Sequence, residues 1–575
     1  MTTVAEHIID SLADLGVTSV WGVVGDALNP VTDAIRKEDR IDWIGVRHEE
    51  VAAFAAGSQA QLSGNIGVCM GTVGPGSIHL LNGLYDAKKS HAPVLAICGQ
   101  VPSAEIGTDF FQEVNNDALF ADVSVFARTL TSPEQLPYVL EQAVNAAIQL
   151  GGVAVLTLPG DIGGLDVPSD TRARFIERSR AGVPATEQLD QAAELLNDAK
   201  RVTLLAGMGA RESRAELLQL AASLQAPMVL TIKGKEGLEG DNEFQVGQSG
   251  LIGNPAAQHA FDECDVLFMI GTDFPYREWY PEGKTVIQLD ARGEHIGRRT
   301  HVDLSLVGDA GSTLRALLPR LTAKPSDKHL AKSREKYVEW LDRQKALADP
   351  EFDRKGLGVI RRHFDNTSNA IRPELVAAVV DRHAANDAIF TSDTGMSTVW
   401  LSRLLELRGS RKLVGSFNLG SMANAMPQAL GAAQLYGDRQ VIAFCGDGGL
   451  TMLLGDLITA VTYKLPVKLI VFNNGRLGMV KLEQEQGGLA EFGTILHNPV
   501  IADVATACGL HGIRVEDPEK VEAAITEALA HDGPVLVDIV TNPEEISLPP
   551  KVKLSQGWGF AIAKSKEILQ SRGAD

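Results

Sequence analysis

The chain has 575 residues, 45% of them hydrophobic and 22% charged; that length is too great for one hydrophobic core and predicts two to four soluble domains. A formal net charge of −20 argues against a nucleic-acid partner, which requires a basic face. Cys69, Cys98, Cys264, Cys445 and Cys508 are scattered without a CxxC pair, which argues against a disulfide or zinc framework and for small buried apolar residues in a reducing compartment.

The first sixteen residues lack the basic and apolar regions of a signal peptide. Ile8, Ile9, Leu12 and Leu15 instead predict a short amphipathic helix. No run of apolar residues is long enough to span a membrane, so the expected location is the cytoplasm, with surface attachment to a membrane left open. Short apolar, β-branched runs then alternate with helical patterns: 18-TSVWGVVG-25, 67-GVCMGTVG-74, 94-VLAICG-99, 153-VAVLTLPG-160, 202-VTLLAG-207, 266-VLFMIG-271, 388-AIFTSD-393, 441-VIAFCGD-447, 467-VKLIVFNN-474 and 535-VLVDIV-540. Continuous apolar strands are buried on both faces, the signature of parallel sheets in an α/β protein. Most of them end in Gly, Asp, Asn or Pro, and open parallel sheets bind ligands at those carboxyl ends. Two polar, charged stretches, 166–186 and 321–372, read as linkers or connecting helices. They divide the chain into 1–165, 185–320 and 360–545, with a tail over 550–575. The three parts share a texture but show no close internal repeat.

Within the first part, 47-RHEEVAAFAAGSQAQLSG-64 is an Ala-rich helix that opens on Arg47, His48, Glu49 and Glu50. By residue type alone, Glu49 suits the positive end of the helix dipole. In the third part, Asp447 of 446-GDGG-449 closes one apolar strand and 473-NN-474 closes the next, with the helix-like stretch MLLGDLITAVTYK between them. A carboxylate and a carboxamide then meet at one sheet edge. Hard oxygen ligands of this kind suit Mg²⁺. Gly446, Gly448 and Gly449 let the backbone approach a diphosphate, and the following helix N-terminus favours its charge.

With GDG…NN the sequence resembles the thiamine diphosphate (ThDP) dependent enzymes. The resemblance implies Mg²⁺ ligation by Asp447, the side chain of Asn474 and the backbone carbonyl of Arg476. It matches Glu49 to the glutamate bonded to N1′ of the aminopyrimidine, where a carboxyl group stabilises the imino tautomer that deprotonates thiazolium C2. The segment 420-GSMANAMPQALGAA-433 resembles the one that keeps the cofactor bent, with Met422 between the rings and Gly420 and Met422 on the pyrimidine edge. The loop 393-DTGMST-398 resembles the diphosphate-facing loop, through Gly395 and Ser397. Because the family places this cofactor between subunits, a homodimer is the minimum unit implied, and a tetramer is common.

The middle part carries Gly207 and Gly209 in GMG, Lys233 in KGKEG, Gly250 and Leu251 in GQSGLIG, Gly271, Thr272, Asp273 and Phe274 in GTDFPY, Asp290 in QLD and Asp309 in VGD. Gly-rich turns at strand ends fit a dinucleotide lying across the sheet. The series resembles the FAD domain of pyruvate oxidases and acetolactate synthases. Phe111 and Gln112 of 110-FFQE-113 match a pair lining the substrate side in pyruvate oxidases, although acetolactate synthases carry a similar FQE. Glu483 matches a glutamate facing the reacting carbon, and Met479 stands where several relatives have Phe.

Over nearly its whole length the chain resembles the quinone-reducing pyruvate oxidases. This implies three doubly wound parallel-sheet domains (pyrimidine-binding, FAD-binding and diphosphate-binding) holding ThDP, Mg²⁺ and FAD. The implied reaction converts pyruvate to acetate and CO₂ with electrons passed to a quinone. The alternatives are an oxygen- and phosphate-dependent oxidase forming acetyl phosphate and a carboligase of the acetolactate synthase type. The end of the tail, 558-WGFAIAKSKEILQSRGAD-575, suits an interfacial helix contacting a membrane and equally a helix packed on its own protein.

Overall fold

The computed structural model describes residues 2–167, 173–179, 181–352 and 370–545. Three six-stranded sheets follow one another along the chain, and every strand pairing in them is parallel. The first contains β1 (Ser19–Gly22), β2 (Asp42–Gly45), β3 (Gly67–Gly71), β4 (Val94–Gln100), β5 (Ser124–Thr129) and β6 (Val153–Pro159). The second contains β7 (Val202–Ala206), β8 (Met228–Leu230), β9 (Gln245–Gln248), β10 (Val266–Ile270), β11 (Thr285–Asp290) and β12 (Leu304–Val307). The third contains β13 (Ile389–Ser392), β14 (Lys412–Gly415), β15 (Val441–Gly446), β16 (Val467–Asn473), β17 (His511–Val515) and β18 (Val535–Val540). Helices flank each sheet, so the α/β class with three doubly wound domains is the architecture observed.

Strand order adds what the sequence conceals. The first sheet runs β2-β1-β3-β4-β6-β5 and the third β14-β13-β15-β16-β18-β17, the same order counted from the first strand of each. The second runs β9-β8-β7-β10-β11-β12 from one edge, the 3-2-1-4-5-6 order of dinucleotide-binding sheets. In each sheet the winding reverses beside the first strand: between β1 and β3, between β7 and β10, and between β13 and β15; the first and third sheets turn back once more, from β5 to β6 and from β17 to β18. Loops diverge at such a reversal and leave a crevice at the carboxyl ends of the strands.

The first and third domains share one hydrophobic core. The Glu49–Ser63 helix lies against the Ala425–Leu435 helix, with Ala52, Ala55 and Ala56 buried beside Ala425, Ala429 and Ala432. Small side chains let the two backbones approach closely, and Ser58 Oγ donates to the Gln428 carbonyl at 2.8 Å. A Cβ on Gly431 would sit 2.4 Å from the Ala55 carbonyl oxygen. The obstruction is backbone and cannot rotate away. Gly431→Ala is therefore expected to destabilise the protein by about 1–3 kcal/mol, the cost of overpacking. Denaturant unfolding checks this; an unchanged midpoint would mean the helices separate freely.

Described segments of both charged stretches pack on the domains beside them. Lys328–Leu347 is a helix that buries His329, Tyr337 and Trp340 against the Pro255–Glu263 helix. Its lysines and arginines mask that stripe in the sequence. Residues 173–179 run along the Leu136–Leu150 helix, where Asn145 Oδ1 accepts from Ile176 N at 2.9 Å and Gln149 Oε1 from Ser179 N at 3.0 Å. All five cysteines are free. No helix among the described residues is long and apolar enough to cross a membrane, and the tail over 550–575 lies outside them.

Candidate active site

The winding reversal of the third sheet brings three strand ends together. Asp393 follows β13, Asp447 follows β15, and Asn473 ends β16 immediately before Asn474. Asp447 begins the short Asp447–Met452 helix. Its Oδ1 accepts from Gly448 N at 2.9 Å, and its Oδ2 from Gly475 N and Asn498 Nδ2, both at 2.8 Å. Burial nevertheless pushes the carboxyl up to about 6, because these donors do not replace the lost hydration. Asn474 Oδ1 accepts from Arg476 N at 3.0 Å. Asn473 turns away, donating to buried Asp538 at 2.8 Å.

A cavity of about 80 Å³ opens here, lined by Gly395, Ser397, Met422, Gly446, Asp447, Gly448, Gly449, Asn474 and Arg476. Two of its glycines leave no room for a side chain. A Cβ on Gly449 would lie 2.5 Å from Asp393 Oδ2, and one on Gly448 would lie 2.9 Å from Leu477. The exposed backbone, the helix start and the oxygens of Asp447 and Asn474 form a donor set that fits a Mg²⁺-bound diphosphate. The helix-like stretch after GDGG is broken: a 3₁₀ turn over Leu454–Asp456 separates Asp447–Met452 from Leu457–Thr462. Asp456 fixes that break, accepting from Thr459 Oγ1 at 2.7 Å and from Arg47 N of the first domain at 2.8 Å.

Asp393 links the surrounding loops. Its carboxylate accepts from Ala425 N at 2.9 Å and Gly446 N at 3.1 Å, and burial pushes it up to about 7. Ser397 Oγ donates to the Asp393 carbonyl at 3.0 Å. The 420–424 turn is held in left-handed backbone at Gly420 (φ +79°) and at Ala423 (φ +64°). Strain at a non-glycine residue persists only where the surroundings enforce it. This turn sets Met422 beside Gly448, with its Cε 3.4 Å from where a Cβ would stand.

Glu49 is not among the residues lining this cavity. It opens the Glu49–Ser63 helix and is 7% exposed, with Oε2 2.9 Å from His79 Nδ1. His79 stacks on His48 with ring centroids 4.4 Å apart. The turn after β3 closes around this carboxylate: a Cβ on Gly76 would lie 3.1 Å from Glu49 Oε1, and one on Gly74 would lie 2.7 Å from the Gln112 carbonyl. Gln112 thus packs on the same turn as Glu49, in left-handed backbone (φ +66°), and Phe111 beside it is 78% exposed. Glu50 instead reaches the third domain of its own chain, through Asn82, which donates to Glu50 Oε1 at 2.6 Å and Ser421 Oγ at 2.9 Å.

A second cavity, of about 330 Å³, lies at the reversal between β7 and β10. Gly209, Lys233, Leu251, Gly271, Thr272, Asp273, Phe274, Asp290 and Asp309 line it. Gly207 and Gly250 stand behind the wall. A Cβ on Gly207 would meet the Gly271 carbonyl oxygen at 2.5 Å, and one on Gly250 the Phe274 ring at 3.1 Å. Lys233 contributes its stem while its ammonium donates to Ser90 Oγ of the first domain at 3.2 Å. Asp309 caps the Ala310–Leu317 helix through Ser312 N at 2.8 Å. The two cavities meet at Thr394, Gly395 and Met479, which line both, and Gly420 lines the larger. Glu483 lies outside both, on the exposed side of the Gly478–Gln486 helix.

Three family models cover the chain in order: the N-terminal TPP binding domain of thiamine pyrophosphate enzymes over residues 2–119, their central domain over 189–317 and their C-terminal TPP binding domain over 393–539. A protein of Bacillus subtilis (strain 168) described as thiamine pyrophosphate-containing is 37% identical over 99% of this chain and 97% of its own. The chain belongs to the thiamine pyrophosphate enzyme family. The pyruvate oxidase of Lactiplantibacillus plantarum is 31% identical over 96% of this chain and 91% of its own. The acetolactate synthase large subunit of Corynebacterium glutamicum is 30% identical over 94% and 87% respectively.

In this thiamine pyrophosphate enzyme, two polar residues near the site escape sequence reasoning, His79 beside Glu49 and Asn498 on Asp447, while Asp393, which opens the loop 393–398, gains its linking role only from the structure. Asn498 sits in an irregular segment where neither periodicity nor spacing marks it. Its amide holds one oxygen of Asp447, so Asn498→Ala is expected to weaken Mg²⁺ retention about 10- to 100-fold, the usual cost of losing an outer partner of a ligand. Titration of the ThDP-loaded protein with Mg²⁺ checks this, and an unchanged midpoint would remove Asn498 from that role.

Proposed function

We propose that this enzyme oxidatively decarboxylates pyruvate to acetate and CO₂, with ThDP and Mg²⁺ in the third-domain cavity, FAD in the central one and a quinone as electron acceptor. The observation carrying this reading is the common wall of the two cavities, Thr394, Gly395 and Met479. A decarboxylating centre and a redox cofactor held in these cavities would share that wall. The strand order of the central sheet supports a dinucleotide, and the resemblance to quinone-reducing pyruvate oxidases supports the acceptor.

When bound, ThDP supplies a thiazolium carbon that accepts the electrons left by a departing carboxylate, and FAD supplies a two-electron acceptor. Asp447, the Asn474 side chain and the Arg476 carbonyl hold the metal, and the glycine turn receives the diphosphate. Gly420 and Met422 take the pyrimidine edge, and Gly395 and Ser397 face the diphosphate. The Glu49 carboxyl carries the proton of the aminopyrimidine at one oxygen while His79 orients the other. A second copy of the chain brings that Glu49 to the Asp447 cavity, making a homodimer the smallest complete unit. Phe111 and Gln112 arrive with it on the substrate side, and Glu483 joins them from the Gly478–Gln486 helix.

Anaerobic mixing of the FAD-loaded enzyme with pyruvate tests the reading. Bleaching of the flavin followed by reoxidation with a quinone, with acetate as product, is expected. An unbleached flavin with acetolactate as product would replace it with the carboligase reading, favoured by the synthase relative. Acetyl phosphate formed only with phosphate and oxygen would replace the acceptor.

A further inference from the structure

The first and second domains face each other across a cleft of about 510 Å³ that adjoins the central cavity, with Asn418 of the third domain at its edge. Lys88 and Lys89, ending the Leu81–Lys89 helix, form one side, and Arg292, Arg298 and Arg299, in the loop after β11, form the other. Among the described residues, two carboxylates, Asp273 and Glu294, share the lining, so five cations oppose two anions in a chain whose net charge is −20.

Two of the five cations are engaged, Lys88 with Asp122 at 3.2 Å and Arg299 with Asp273 at 3.4 Å. Among the described residues, Lys89, Arg292 and Arg298 form no ion pair. Arg292 is held without being neutralised: it donates to the Leu150 carbonyl and faces His91 Nδ1 at 3.3 Å. Burial pushes His91 down to about 4, so its imidazole is neutral at ordinary pH.

Clustered cations without counter-charges repel one another, and a cleft concentrates their field on whatever enters. Guanidinium forks match phosphate oxygens in geometry as well as charge. The volume is in the range of small-molecule sites, beyond what one inorganic anion fills. We propose that this cleft is a second ligand site, distinct from the ThDP cavity, that takes a soluble polyphosphorylated molecule of nucleotide size. Six of its lining residues, His91, Asp273, Pro275, Arg292, His295 and Asn418, also wall the central cavity, so its occupant would adjoin whatever fills that cavity.

The test is calorimetric titration of the FAD- and ThDP-saturated enzyme with ADP as the probe, at fixed ionic strength. One saturable site per chain is expected. Lys89 and Arg298 are exposed, so the double variant Lys89→Ala/Arg298→Ala should fold and keep its FAD, ThDP and basal activity. It should bind ADP about 10- to 100-fold more weakly, the loss of two charge-assisted contacts. No saturable binding, or equal binding by the double variant, overturns the proposal. Binding confined to FAD-depleted protein also overturns it, since the cleft would then serve the dinucleotide's own phosphates.

Discussion

Glu49→Gln is expected to lower turnover of pyruvate by roughly 10²- to 10⁴-fold, the range for losing a positioned proton-transfer group. The amide has the shape of the carboxyl and can fill the same buried pocket against His79 and Gly76, so near-ultraviolet circular dichroism should not change. It cannot relay a proton as the carboxyl does in the proposed site. The direct readout is hydrogen–deuterium exchange at thiazolium C2 in the loaded protein, which should slow with turnover. Full activity in this variant would remove Glu49 from the role.

Asp447→Ala is expected to abolish activity by a different route. In the proposed site it would remove a metal ligand and not an outer partner, so Mg²⁺-dependent ThDP retention should fall more than about 100-fold. Metal and thiamine analysis after gel filtration checks this. The wild-type site should also be pH-sensitive. In the proposed site metal binding requires Asp447 as the carboxylate, and burial pushes this carboxyl up to about 6. Protons therefore compete below that pH, and the apparent Mg²⁺ affinity should drop about tenfold per pH unit on acidification while staying flat above it. A midpoint near an ordinary carboxyl pKa would contradict the burial effect.

The two inactive variants together test where the halves of the site meet. Co-refolded in equal amounts, Glu49→Gln and Asp447→Ala chains form mixed dimers in half of the assemblies. If each site combines Glu49 from one chain with Asp447 from the other, every mixed dimer has one intact site and roughly one quarter of wild-type activity returns. No recovery would place both residues of a site in a single chain.

The inner strands of the first and third sheets were all legible in the sequence: β1, β3, β4 and β6, and β13, β15, β16 and β18. Each is buried on both faces and reads as a predominantly apolar run, with buried polar exceptions that include Thr391, Lys468 and Asp538. The edge strands were not. β2 reads Asp42-Trp-Ile-Gly and β17 reads His511-Gly-Ile-Arg-Val, and both are partly exposed. An edge strand packs on one side only and need not be apolar throughout. The shared order of the first and third sheets was equally hidden, because many different apolar residues can fill the same place in a sheet.

The glycine turns, the GDGG and NN strand ends and the Ala-rich helix behind Glu49 are local signals, each a backbone requirement or burial pattern written in contiguous residues. From them the sequence determined the fold class, the family resemblance and the candidate ThDP residues. What tertiary structure alone decided are meetings between distant segments: Asn498 with Asp447, His79 with Glu49, and the two cavities at Thr394, Gly395 and Met479. Such contacts depend on where each crossover returns the chain and how closely Gly431 lets two helices approach, and no stretch of neighbouring residues records either.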